Sequence, residues 1–367
     1  MNIKALALVD YQSCFLSHSI LTGLWEMEDV EVYEMPILNS VRGGIDKDYI
    51  LPDGTRGYTG TTGYLQPHPL PPQLHTEEEV LDTIRDFDFI IMLSGREYAR
   101  RALDDICVAK NLSARTLPLI ICDGEDSDSI PRNLLDQYMP KVFFKRELLR
   151  QHSLSFYEQY TGMPVYPLPF AAFTRSMPEV DDSQKAYDIF LSLGRTYPAR
   201  DILIGKFLDT VVDQMLIHWI GTNHNSPLFQ THPHGNLLHD LLQWPDYMRR
   251  QAQAKITASM RGFGRDALHC WEAFSFATCV LYCDPMIWIP HPFIDRQHCV
   301  YFNESCEDVP EKIRWLLAEE SYRQDLAAAG KRHCRAFHTT QARAAYLLEI
   351  AAKILGGEKI DPEEFGL

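Results

Sequence analysis

Apolar positions along the chain fall into short runs, and in the first half those runs alternate with helical patterns. Ile3 to Val9 is the first run and reads as a strand. Thr76 followed by Glu79 has the spacing of a capping box, which opens a helix to about Asp86. Phe87-Asp88-Phe89-Ile90-Ile91-Met92-Leu93 then reads as a buried strand, and Leu117 to Cys122 and Val142 to Phe144 supply two more. A β-α-β order of this kind predicts a parallel sheet covered by helices.

The second half repeats the plan. Strands are expected at Tyr187 to Leu193, Met215 to Ile220, Ile256 to Ser259, Cys279 to Cys283 and Cys299 to Phe302. Helices are expected at Asp201 to Asp213, Pro245 to Ala254 and Asp266 to Phe276. Val309 to about Leu355 is helical in pattern, with breaks near Gly330 and His338-Thr339. Pro167 to Lys185, with its prolines and the acidic pair Asp181 and Asp182, separates the two regular regions. The reading is therefore a domain over 1–170, a linker over 171–186, a second domain over 187–340, and a closing helix and tail over 341–367 placed to pack back on the first domain. Asn39 to Gln73, rich in Gly, Pro, Thr and Tyr, has no sustained period. It is either a long surface loop or a hairpin insertion, and it would suit an acceptor-binding flap or mere decoration.

Composition narrows the class. At 367 residues, with 46% hydrophobic and 23% charged residues, the chain suits two globular domains. A net charge of −15 opposes an extended nucleic-acid footprint, because phosphate binding relies on clustered Lys and Arg. Met1 to Asp10 lacks the apolar core and cleavage site of a signal peptide, and no apolar run approaches the roughly 20 residues of a spanning helix. A cytoplasmic location is expected. The nine cysteines include no CxxC pair and read as reduced, mostly buried thiols. His232 and His234 have no Cys or carboxylate at zinc-ligand spacing, so no metal site is expected there.

The most informative stretch runs from Ala254 to Leu281, a strand, a glycine-containing turn and a helix. Gly262 and Gly264, flanking Phe263, allow a ligand to approach the backbone, and the helix that follows offers unpaired N–H groups to an anion. Arg261 and Arg265 add fork-shaped donors suited to phosphate. Glu272, about two turns into that helix, is either an acceptor for the two hydroxyls of a ribose or an ordinary surface glutamate. From these residues alone, the reading is a phosphate-binding α/β domain.

The segment resembles the donor-binding core of the GT-B glycosyltransferases, especially the branch grouping family-1/4-like bacterial enzymes with spore-maturation and exostosin-like transferases. The matching positions are Ser259, Gly262, Gly264, Glu272, Ala273 and Val280. Pro292-Phe293, Val300-Tyr301-Phe302, Val309 to Leu317 and the run from Asp325 to His338 look like the same family's closing elements. The likeness covers about 187–350. It departs from the family pattern at Ala277 and Cys279, where Gly and Pro are usual, and at His269, where an Arg is usual. Asp123-Gly124-Glu125-Asp126 and Phe144-Lys145-Arg146-Glu147-Leu148 resemble segments of bacterial members.

The resemblance implies two Rossmann-like domains facing a cleft, with C-terminal helices, and metal-independent transfer from a nucleotide-sugar donor with no cofactor. It makes Gly194-Arg195 a turn contacting the donor phosphates, where Arg195 would neutralise the leaving diphosphate; the alternative is an arginine capping a strand end. Donor-binding candidates are thus Gly194, Arg195, Arg261, Gly262, Phe263, Gly264, Arg265, His269 and Glu272. The carboxylates from Asp123 to Asp128 are read as acceptor-orienting groups or helix caps, not as a metal site. An inverting reaction needs a base, for which Asp10, His18 and Asp123 are the candidates; a retaining reaction needs none. Three other readings remain. A dinucleotide oxidoreductase lacks its G-x-G-x-x-G turn after Ile3 to Val9; the others are a GT-B-fold nucleotide-sugar epimerase and a catalytically silent binding protein.

Overall fold

The computed structural model describes residues 3–10, 14–35, 75–173, 185–242 and 244–367. The expected insertion, Asn39 to Gln73, and most of the expected linker lie outside the described residues. The chain forms two compact units. One comprises Met1–Ala171, Ile287–His291 and Thr339–Leu367, and the other Ala172–Met286 and Pro292–His338.

In the first unit the chain order is β1 (Ile3–Leu8), α1 (Phe15–Trp25), β2 (Val30–Met35), α2 (Glu77–Thr83), β3 (Phe89–Met92), α3 (Glu97–Lys110), β4 (Leu119–Asp123), α4 (Arg132–Tyr138), β5 (Val142–Lys145), α5 (Leu154–Thr161) and β6 (Val165–Pro167). The strands lie in the order β2-β1-β3-β4-β5-β6, all parallel, with Leu8 in register with Met35 and Met92. Unbroken apolar runs suit such a sheet because both faces are covered. Accordingly Ala5, Leu6, Ala7 and Leu8 of β1 and Ile90, Ile91 and Met92 of β3 have no exposed surface. The capping box is formed, with the Glu79 N–H donating to Thr76 Oγ1 at 3.2 Å and the Thr76 N–H to Glu79 Oε2 at 2.7 Å.

The second unit contains β7 (Tyr187–Ser192), α6 (Ala199–Gln214), β8 (His218–Thr222), α7 (Leu228–Thr231), β9 (His239–Asp240), α8 (Trp244–Ala252), β10 (Ala254–Ser259), α9 (Leu268–Ser275), β11 (Cys279–Tyr282), β12 (Val300–Tyr301), α10 (Val309–Ala318) and α11 (Glu320–Phe337). Its parallel sheet runs β12-β11-β10-β7-β8-β9. Numbered within the unit, this is the doubly wound order of nucleotide-binding sheets. Leu203, Ile204, Phe207 and Leu208 of α6 and Ile313 and Leu316 of α10 pack on it without exposed surface.

The closing helices differ from expectation at one point. α11 runs through Gly330 unbroken, and the interruption falls instead at Glu319. A Cβ at Gly330 would lie 2.5 Å from the His298 carbonyl oxygen, so the glycine serves close approach of the helix to that backbone. The last helix, α12 (Thr340–Leu355), belongs to the first unit and packs against α1. Gly23 permits that contact, since a Cβ there would sit 2.0 Å from the Thr340 carbonyl oxygen, and Thr340 Oγ1 donates to Glu26 at 2.6 Å.

Candidate donor site

In a parallel sheet, neighbouring strands whose connections leave in opposite directions open a crevice outside their carboxyl ends. In the second unit those strands are β7 and β10, which are paired neighbours. The loops that leave them are the β7–α6 turn, with Gly194 and Arg195, and the β10–α9 turn, from Met260 to Ala267. Topology therefore brings together most of the donor-binding residues expected from the sequence.

Arg200 ties the two loops together. Its guanidinium, 5% exposed, donates from Nη1 to the Gly194 carbonyl at 2.8 Å, from Nε to the Arg261 carbonyl at 2.8 Å and from Nη2 to the Met260 carbonyl at 3.1 Å. No carboxylate pairs with it among the described residues. Burial draws its pKa down to about 10, so it stays protonated at neutral pH. Sequence reading missed this residue, because an arginine in the first turn of a helix resembles any surface arginine.

Gly262 lies against this clamp. A Cβ there would lie 3.0 Å from Thr196 Oγ1 and 3.1 Å from Arg200 Nη2, and three carbonyls leave the guanidinium little room to yield. Gly262→Ala should therefore cost about 1–3 kcal/mol of stability, as overpacking usually does, and denaturant unfolding would measure it.

The remaining candidates divide by how firmly they are held. Arg195 forms a forked pair with Asp201, at 2.8–3.0 Å, and its N–H donates to Asn223 at 2.6 Å. Arg261 stacks over Tyr197, 4.5 Å from the ring centre, and its buried Nε has no hydrogen-bond partner. Arg265 Nη1 lies 3.5 Å from the Pro285 carbonyl. Phe263 stands out at the loop tip, 73% exposed, between the buried Gly262 and Gly264.

α9 is preceded at its N-cap by Ala267, whose methyl cannot cap it, and its first turn holds no acidic residue. Its leading N–H groups thus lack the side-chain oxygen that normally serves them, an arrangement suited to an anion. The preceding Asp266 is engaged by Trp271 Nε1 at 2.8 Å. Glu272 is the fifth residue of α9, just over one turn in where about two were expected, and it is 4% exposed, not a surface glutamate. His269 has a buried Nε2 with no hydrogen-bond partner; desolvation, helped by the charge of Arg200, pushes its pKa well down and keeps it neutral.

The first-unit candidates are not gathered in this way. Asp10, just past β1, accepts from the Tyr98 N–H at 3.1 Å. Asp123, at the end of β4, accepts from the Glu125 N–H at 3.0 Å and from the buried Lys145 Nζ at 2.9 Å. Arg146 pairs with Asp126, so the two segments noted for their resemblance are joined by ion pairs. His18, on α1, has no exposed surface, and burial lowers its pKa to about 4. Reaching an acceptor hydroxyl would require α1 to move.

Residues 214–349 match the family model described as glycosyl transferase-like, and most of them lie in the second unit. That match takes in the second unit from the end of α6 onward and marks this part of the chain as similar to glycosyl transferase-like domains. No curated protein matches the sequence. Among solved structures the chain is similar to sucrose-phosphate synthase from Thermosynechococcus elongatus, at 10% identity and a TM-score of 0.57, covering 98% of this chain and 100% of that one. It is similar to Anabaena HepE in complex with UDP-glucose, at 11% identity and a TM-score of 0.59, covering 96% and 100%. A glycosyltransferase from Rickettsia africae gives 9% identity and a TM-score of 0.59, covering 96% and 99%. At such identities the likeness is one of fold, and that fold is GT-B. The β10–α9 turn and α9 both fall inside the residues that match the family model.

Proposed function

We propose that the chain transfers a hexose or pentose from a nucleotide-sugar donor, a UDP-sugar first among the choices, to an acceptor hydroxyl. The observation that carries the reading is the uncapped start of α9 beside the two loops clamped by Arg200. The donor diphosphate would lie against the N–H groups of that turn, with Arg195, Arg261 and Arg265 around it and the ribose on Glu272. Transfer builds negative charge on the departing nucleotide, and fixed guanidinium and N–H dipoles stabilise it without reorganising. In this reading they take the place of a divalent metal, and no cofactor takes part. Relatives of the same fold described as binding UDP or UDP-glucose support the choice of nucleotide. If the reaction inverts, Asp10 and Asp123, at the carboxyl ends of β1 and β4, are the bases to test. The proposal keeps a bacterial cytoplasm as its setting; among the described residues no helix is long and apolar enough to cross a membrane.

The test is nucleoside-diphosphate release from UDP-, GDP-, ADP- and dTDP-sugars, with and without a pool of acceptors. The reading expects release that depends on acceptor, with the sugar recovered on it. Acceptor-independent release, or an epimerised sugar, would replace the transferase with an epimerase of the same fold.

A further inference from the structure

A second candidate site lies within the first unit. A cavity of about 520 Å³ opens where the chain leaves β3 and β4, walled by Arg96 and Arg100 on one side and by Asp123, Glu125 and Arg132 on the other. That size is in the usual range for small-ligand pockets. The strand order of the first sheet reverses between β1 and β3, so the cavity adjoins the carboxyl end where open α/β sheets take ligands.

The charges around it do not balance. Glu125 is held by Arg96 at 2.7 Å, and that bond keeps its carboxyl below the usual range. Asp123 is held by Lys145 at 2.9 Å, and Arg132 pairs with Asp136 at 3.1 Å. Each acidic group of the wall thus already has a base. Arg100 has no ion-pair partner among the described residues, and its buried Nε has no hydrogen-bond partner. The carboxylate one helical turn onward, Asp104, accepts instead from the Tyr138 hydroxyl at 3.1 and 3.2 Å. The cavity wall therefore carries a surplus guanidinium in a chain whose net charge is −15.

A half-buried, unmatched guanidinium beside Arg96 and Arg132 suits an oxyanion, to which planar forks bind in pairs. We propose that this cavity binds a phosphate or carboxylate group, and that in turnover the group belongs to the acceptor. The assignment to the acceptor rests on the transferase reading, whereas the anion site does not. Asp123 then places one carboxylate in the same cavity as the acceptor.

The test uses the full chain with UDP at saturation, so that the donor loops do not compete for the probe. Calorimetric titration with inorganic phosphate should show binding that Arg100→Leu weakens at least tenfold and Arg100→Lys weakens less. Arg100→Leu should leave UDP affinity unchanged, which also checks that the variant is folded; should it fail to fold, Arg132→Leu takes its place with the same expectation. Absence of phosphate binding, or equal binding to wild type and Arg100→Leu, would overturn the site. Glucose 6-phosphate should displace phosphate where glucose does not. Displacement by neither would overturn the acceptor assignment, leaving a site for a free anion. If UDP does not bind but phosphate binding still depends on Arg100, the transferase reading fails and the anion site stands.

Discussion

Arg200→Met should lower stability by about 3–5 kcal/mol, since three buried carbonyls each lose a donor at roughly 1–3 kcal/mol apiece, and abolish measurable UDP binding, a larger effect than removing any of the exposed arginines. The guanidinium satisfies carbonyls of both loops at 2.8–3.1 Å in a site that excludes water, and methionine would leave them without donors. The loss is also one of charge. A cation buried without a carboxylate partner projects its potential toward whatever binds over the loops, and low dielectric strengthens that field. Arg200→Lys keeps the charge but has one donor centre for acceptors spread over two loops, so it should recover part of the stability and little of the affinity. Thermal unfolding and UDP titration of both variants separate the two contributions. Full UDP affinity in a folded Arg200→Met protein would show that the clamp is not part of the site.

The second large effect is at Glu272. Glu272→Gln should weaken UDP about 100-fold while changing the melting temperature by only a few degrees. Two hydroxyls donating to one carboxylate form charge-assisted hydrogen bonds, each worth about 1.5–3 kcal/mol, and glutamine keeps the volume in a helix whose neighbours Cys270, Trp271, Ala273 and Phe274 are all buried. Deoxyuridine diphosphate supplies the internal control. Lacking the 2′-hydroxyl, it should lose less affinity than UDP when Glu272 becomes Gln. Equal losses for the two nucleotides would place Glu272 in the helix packing and not on the ribose.

The sequence made the sheets legible because both are parallel and covered on both faces, which turns each strand into an apolar run between turn residues. Leu119–Asp123, Val142–Lys145 and Cys279–Tyr282 sit within two residues of where those runs placed them. The β10–α9 turn was legible for a different reason. Gly262 and Gly264 between arginines mark a tight turn, and a resemblance to known donor domains fell on the same residues. What escaped was whatever depends on partners distant in sequence. Arg200 gains its role from Met260 and Arg261, some sixty residues away, and Gly330 gains its own from the His298 backbone. Neither has a local signature. Arg100 is the same case: only the structure shows that Tyr138 has taken Asp104, its partner one helical turn away. His18 is the opposite case, since a histidine soon after a first strand reads as a base candidate until its burial on α1 is known.

The central claim is that a nucleoside diphosphate binds where the β7–α6 and β10–α9 loops meet. A crystal structure of the chain grown with UDP tests it directly. The diphosphate should lie within hydrogen-bond distance of the leading N–H groups of α9 and of Arg195 or Arg265, with the ribose on Glu272. UDP bound elsewhere in the chain, or no bound UDP at concentrations that saturate binding in solution, would contradict it.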